Sequence, residues 1–252
     1  MHSYLIIHHT SQNFQVALFN NDQRIDLIID DKRLVSKLLI SFIDTILARN
    51  NYKLTDLAFI GINQGPGLFS TLRSIIATIN GLHFATSISL VGVDALDAML
   101  AEYNNHKNGA TIVLLDAFNH EVYYAIQNKN DDIKKGYKNI NAFLDQLYEN
   151  YSNQPITFVG NGAQLYHDLI VPVLRSSYAP TSLKLRRTCS KATEDLRQGL
   201  QRRQGFDAQV VGQAEIKIET IARQAYTKFL NKKNDNDYLL PLHLKKHPVE
   251  MQ

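Results

Sequence analysis

Three places in this 252-residue chain combine residue types that could do chemistry. The first is the turn Gly65-Pro66-Gly67, set directly before the apolar stretch LFSTLRSIIATINGL. Free N–H groups at a helix start attract anions, and a glycine turn lets a phosphate approach them. The turn lacks the Lys-Ser/Thr ending of a P-loop and does not keep the spacing of a dinucleotide fingerprint. Two readings stand, a structural turn or a direct nucleotide contact, with Arg73 one helical turn further on as a candidate phosphate or carboxylate partner. The second place is His8-His9, whose side chains point opposite ways on a strand and cannot share a ligand. The third is His243 and His247, spaced i, i+4 but bracketed by Pro241 and Pro248, so that an extended segment sends the two rings apart. No metal is expected at either histidine pair. The lone cysteine, Cys189, excludes an internal disulfide framework and any cysteine-rich zinc site.

Composition excludes more than it assigns. Apolar residues make up 44% and charged residues 20%, which is ordinary for a globular protein, and the formal charge is only +3. The basic residues concentrate between Arg175 and Arg203, where Lys184, Arg186, Arg187, Lys191, Arg197, Arg202 and Arg203 face only Glu194 and Asp195. That stretch reads either as a solvated helix with its loops or as a contact to a nucleic-acid phosphate backbone. The N-terminus has no basic start followed by a sustained apolar run, and no segment approaches the ~20 apolar residues that span a bilayer. A soluble, cytoplasmic protein without membrane contact is expected.

The elements that must position these residues follow from periodicity. Tyr4 to Ile7 is a short apolar run, FQVALF alternates like a half-buried strand, and Asn20-Asn21-Asp22 is the turn to a returning strand, Arg24 to Ile29. RLVSKLLISFIDTILARN places Leu34, Leu38, Phe42 and Ile46 on one line and Val35, Leu39, Ile43 and Leu47 on the next, a broad apolar helix face. DLAFIGI reads as a buried strand ending at the Gly-Pro-Gly turn, and a helix follows from about Phe69 to about Ala85. SLVGV is another strand, after which Asp94 caps the helix ALDAMLAEY. The polar segment NNHKNG marks a boundary, giving an N-terminal lobe over 1–105 and a second lobe over 106–213. In the second lobe ATIVLLDAFNHEVYYAIQ gives two strands, KNDDIKKG a surface turn, AFLDQLYENY a helix and ITFVGNGAQLY a strand entering a turn. A last helix, about 214–231, packs back on the first lobe and precedes the strand-like LLPLHL. No internal repeat is visible.

With that order in place, the chain resembles the TsaB (YeaZ-like) family. GPGLFSTLRSIIATINGL matches the family's Gly-Pro-Gly-Ser-Phe-Thr-Gly-Leu-Arg start, and LVGVDALDAML follows at the expected distance. LLDAFNHEVYYA resembles the family's Asp-Ala-Arg-x-x-Glu-Val-Tyr segment, with Asp116, Glu121 and Tyr123 in register; VGNGAQLY and PLHLKK match more loosely. The resemblance implies an α/β, two-lobed actin-like (Hsp70-like) ATPase fold with a degenerate nucleotide site. It further implies a non-catalytic subunit that pairs with a TsaD-type catalytic subunit, or with itself, in making threonylcarbamoyladenosine in tRNA. A TsaE-type ATPase would be a third partner, with ATP, magnesium and metal held by the partner subunits and no cofactor of this chain's own.

Two departures carry that expectation of lost catalysis. Where ATP-using relatives of the fold end the first strand in an aspartate that helps hold magnesium, this chain has His8-His9-Thr10. Where the TsaD family carries two metal-binding histidines four apart, this chain has Ala95 and Met99. The rival expectations are an active ATPase or glycopeptidase-like metalloenzyme, and a homodimeric regulator of the TsaD-type subunit.

The expected interface is a helix pair. From the first helix it takes Leu34, Leu38 and Phe42. From the second it takes Leu72, Ser74, Ala77, Thr78, Gly81 and Ala85, where small residues recur at steps of three and four. Glycine inside a helix costs about 1 kcal/mol relative to alanine, which suggests close approach of another backbone at Gly81. Packing within the same lobe and contact with a second protein are both open on this pattern.

Overall fold

The computed structural model describes residues 1–10, 12–31, 35–67, 69–103, 109–151, 154–170, 208–212, 214–231 and 238–242. The chain divides into two compact units, Met1–Tyr103 with Glu215–Gln252, and Asn104–Ala214.

The first unit is built on β1 (Ser3–His9), β2 (Asn13–Asn20), β3 (Gln23–Asp31), β4 (Leu57–Gly65) and β5 (Ser89–Asp94), in the sheet order β3-β2-β1-β4-β5. The first three strands form an antiparallel meander, and β1, β4 and β5 run parallel. Strand alternation divides β1 between two cores. Leu5 and Ile7 join Val16, Leu18, Ile60 and Ile62 in one apolar layer, against helices α1 (Val35–Arg49) and α2 (Phe69–Thr86). Tyr4 turns to the opposite face, where it stacks between Phe19, Phe59 and Tyr226. That face is covered by α6 (Ile218–Leu230), which packs on β4, β5 and β1 and against α3 (Ala95–Tyr103). The helix comes so close that a Cβ on Gly61 would stand 2.9 Å from the Cβ of Ala225.

The second unit repeats the plan with different side chains. Its strands are β6 (Ala110–Asp116), β7 (Glu121–Gln127), β8 (Ile133–Asn139), β9 (Ile156–Val159) and β10 (Ala208–Val210), ordered β10-β9-β6-β7-β8. Again three strands form an antiparallel meander and two join in parallel. Helix α4 (Ile140–Tyr151) sends Phe143, Leu144 and Leu147 into this unit's core, and α5 (Asn161–Leu165) follows β9. Two sheets sharing one strand order are the mark of the two-lobed actin-like α/β fold.

Several sequence expectations need correction. KNDDIKKG is a turn only as far as Asp132; from Ile133 it is the edge strand β8, paired antiparallel with β7 despite its three lysines. LLPLHL does not form a strand over Leu239 to Leu242. Instead Leu239 enters the first core while its backbone exchanges hydrogen bonds of 2.8 and 2.9 Å with the Asn80 amide. The last helix starts at Ile218 rather than near Ala214, because the preceding backbone is held extended from outside. The Tyr103 hydroxyl donates to the Glu215 carbonyl (2.8 Å) and accepts from the Glu215 N–H (3.1 Å). The basic stretch 175–203, Cys189 and both His243 and His247 lie outside the described residues.

Candidate partner interface and the closed end of the first strand

At Gly65-Pro66-Gly67 the packing of the turn can be followed atom by atom. Gly65 has φ +94° and is buried, and a Cβ there would stand 2.7 Å from the Leu72 side chain. Only glycine fits. Pro66, joined to it by a cis peptide bond, is also buried, while Gly67 is exposed. The Gly65 N–H is already used, donating 2.9 Å to the Asn63 side-chain oxygen. The turn thus packs against Leu72 in the first turns of α2.

The same asparagine closes the end of β1. His8 is 1% exposed, and its Nε2–H donates to the Ile216 carbonyl at 3.0 Å. Its Nδ1 accepts from the Asn63 amide at 3.2 Å. Both ring nitrogens are thereby committed, and the imidazole is neutral. Burial is the main reason its pKa is pushed down to about 4, with the Ile216 hydrogen bond opposing and His9 adding to the fall. No lone pair is left for a cation. Thr10 is spent on the β1–β2 turn, where its hydroxyl accepts from the Asn13 N–H (3.0 Å) and the Gln12 N–H (3.1 Å). Ala95 and Met99 are both buried in α3. Among the described residues no group of three or more His, Cys, Asp or Glu side chains could hold a metal ion. No helix among them is long and apolar enough to cross a membrane.

The helix pair divides the nine expected interface residues. Leu34 lies outside the described residues. Leu72 is only 2% exposed and belongs to the core with Ile75, Ile76 and Ile79, so its assignment to an outer surface is corrected. Leu38, Phe42, Ser74 and Thr78 are half-buried, and Ala77, Gly81 and Ala85 are exposed. The Gly81 expectation splits: among the described residues nothing lies within 4 Å of where its Cβ would be, so no packing described in this unit requires glycine there. The periodicity passed over two neighbours on these helices, Ile40 at 50% and Phe84 at 91% exposure. Ala77, Gly81, Phe84 and Ala85 share one side of α2 by their spacing. The Thr78 hydroxyl donates to the Ser74 carbonyl (2.9 Å) and that of Thr86 to Leu82 (2.7 Å), so neither needs a partner across the surface. Arg73 is exposed and engaged in an interaction of its own.

Known proteins can be set beside this geometry. The family model described as "TsaD: tRNA N6-adenosine threonylcarbamoyltransferase" matches residues 31–204. The tRNA threonylcarbamoyladenosine biosynthesis protein TsaB of Escherichia coli K12 is 32% identical over 96 residues, 37% of this chain and 41% of that protein. TsaB of Buchnera aphidicola is 25% identical over 117 residues, 46% of this chain and 52% of that one. The chain thus matches about half the length of these curated relatives. Among solved structures, YeaZ from Pseudomonas aeruginosa aligns over 96% of this chain and all of its own, with a TM-score of 0.63 at 16% identity. A second Pseudomonas aeruginosa protein, described as similar to peptidase YEAZ, gives 0.66 at 16% identity over 97% of this chain. The shared fold, the matching family model and the TsaB relatives agree, and the chain belongs to the TsaD family of tRNA N6-adenosine threonylcarbamoyltransferase proteins, with proteins named TsaB among its relatives.

Proposed function

We propose that this chain is a non-catalytic subunit in the biosynthesis of threonylcarbamoyladenosine in tRNA. It docks a TsaD-type catalytic subunit through the outer side of α1 and α2 and orders that subunit's site, with a TsaE-type ATPase as the third member. The tRNA, ATP, magnesium and catalytic metal are handled by the assembly rather than by groups of this chain. Pre-organising a partner's site contributes to rate without supplying a catalytic group.

The observation that carries the reading is the surface of α2, where an almost fully exposed phenylalanine sits beside alanines and a glycine with open space above it. Exposed apolar surface of this kind is costly in water and favours burial by a second protein. Small residues let a helix backbone come close, which offsets the propensity cost of Gly81. The saturated, neutral His8 and the buried Ala95 and Met99 support the non-catalytic part, since these positions offer magnesium or iron nothing to bind.

The test is co-purification of the tagged chain with its TsaD-type partner. Gly81→Phe meets no atom of the described residues within 4 Å of its Cβ, so the variant is expected to fold. It should lose the partner. Recovery of the partner at wild-type yield would overturn the interface. Calorimetric titration of the isolated chain with Mg-ATP should give no saturable heat; micromolar binding with turnover would favour an active ATPase instead.

A further inference from the structure

A groove of about 620 Å³ opens in the second unit between the β6–β7 turn and the segment after β9, lined by Asp116, Phe118, His120, Leu165, Tyr166 and Asp168 among others. Nothing in the proposed helix-pair function uses it. The turn at its rim is built from three successive residues in the left-handed region, Phe118 (φ 61°), Asn119 (φ 54°) and His120 (φ 60°). Such backbone is unfavourable for phenylalanine, yet this turn leaves the Phe118 ring 54% exposed at the groove. The rings of His120 and Tyr166 lie 6.4 Å apart. The carboxylate of Asp116 is held in place, since its Oδ1 accepts the Phe118 N–H at 3.0 Å. Burial first, then the charge and hydrogen-bonding capacity of Asp116, push the Tyr166 phenol above its ordinary pKa. Asp168 adds a second, exposed carboxylate, with the His167 Nδ1 3.3 Å from it, and no lysine or arginine stands among the described lining residues.

Two carboxylates with no lysine or arginine beside them in the described lining disfavour phosphate and attract a cation. Flat aromatic faces beside those carboxylates favour a planar cation over a compact one, because a guanidinium can stack and hydrogen-bond at once. We propose that this groove binds the guanidinium of an arginine side chain presented by a partner protein, between Phe118, Tyr166 and Asp116. Free arginine fits less well, because its α-carboxylate would enter a groove that already holds two carboxylates. The site is independent of the α1–α2 surface and of the partner docked there.

The test is a nuclear magnetic resonance titration of the full chain with acetyl-Gly-Arg-Gly-amide, with the citrulline and lysine analogues and free arginine as comparisons. The arginine peptide should give saturable shifts at Phe118, His120 and Tyr166 that weaken as salt rises. The neutral citrulline peptide should give none, and the lysine peptide and free arginine should bind several-fold more weakly. Asp116→Asn should weaken the arginine peptide about tenfold. Phe118→Asn, which suits the left-handed backbone and so guards against misfolding, should weaken it several-fold. Equal binding of the citrulline, lysine or free-arginine probe, or unchanged affinity in a folded Phe118→Asn protein, would overturn the assignment.

Discussion

Desolvation of His8 makes one residue's charge state a stability term for the first unit. Its folded pKa of about 4 lies below the ordinary 6.5, so the unfolded chain binds the proton more readily than the native one. The stabilisation is therefore complete above about pH 6.5 and is lost as pH falls towards 4. With a slope of at most about 1.4 kcal/mol per pH unit, some 3 kcal/mol disappears across that window. Urea unfolding at pH 7 and pH 4.5 should show a larger difference for wild type than for His8→Gln; equal differences would show that the burial is not felt. Leu72 gives a second residue-level prediction. As a core residue it should cost about 2–5 kcal/mol when cut to alanine, read from the urea midpoint. A surface residue would cost under about 0.5 kcal/mol.

At the scale of elements, the helices are held by local chemistry at their ends and by neighbours along their sides. Asp94 caps α3 by accepting the Leu96 N–H at 2.8 Å, so Asp94→Ala should cost about 1 kcal/mol in thermal unfolding. Helix α3 is also tied to the chain entering α6. Glu102 lies in an ion pair of 2.9 Å with Lys217 and accepts a hydrogen bond from Thr220. Burial alone would raise the Glu102 carboxyl, but these bonds and the nearby Lys217 and Arg223 charges hold it below its ordinary pKa. On α2, open space at Gly81 turns a propensity cost into a measurable quantity. Gly81→Ala should raise the unfolding free energy by about 0.5–1 kcal/mol, or a few degrees in melting temperature. A fall in melting temperature would mean that close packing already surrounds that position.

On the scale of the whole molecule, the first unit is discontinuous in sequence. Its β-sheet is complete by Asp94, yet the helix covering one face arrives only at Ile218. That helix buries Ile218, Ile221, Ala222 and Ala225, and its Tyr226 and Phe229 stack on Tyr4 and Phe59. At about 1.5–3 kcal/mol for each large apolar side chain, these contacts rival a typical total stability of 5–15 kcal/mol. A chain ending at residue 214 should therefore lose cooperative unfolding of residues 1–103, read by hydrogen exchange. Retention of protected β1 and β4 amides would show that the sheet stands without α6.

The strands β1 to β7 and β9, the approximate places of α1 to α4 and α6, and the Asp94 cap were legible in the sequence, because periodicity and capping are local properties of neighbouring residues; α5, a single short turn of helix inside GNGAQLY, reads there only as a turn. The TsaB resemblance was legible for the same reason, being carried by short contiguous motifs. What lay beyond local reading depended on distant partners. Edge strands β8 and β10 are too polar or too short to declare themselves, and become strands only by pairing with β7 and β9. His8 offers a ligand's chemistry in sequence, but Ile216 and Asn63, brought in from 208 and 55 residues away, occupy both its nitrogens. Leu72 and Gly81 belong to one helix pattern, and only the packing of that helix on the sheet sends the first inward and leaves the second open. Tertiary structure decided these points because burial and hydrogen-bond occupancy are fixed by the whole fold, whereas side-chain type and spacing are fixed by the chain.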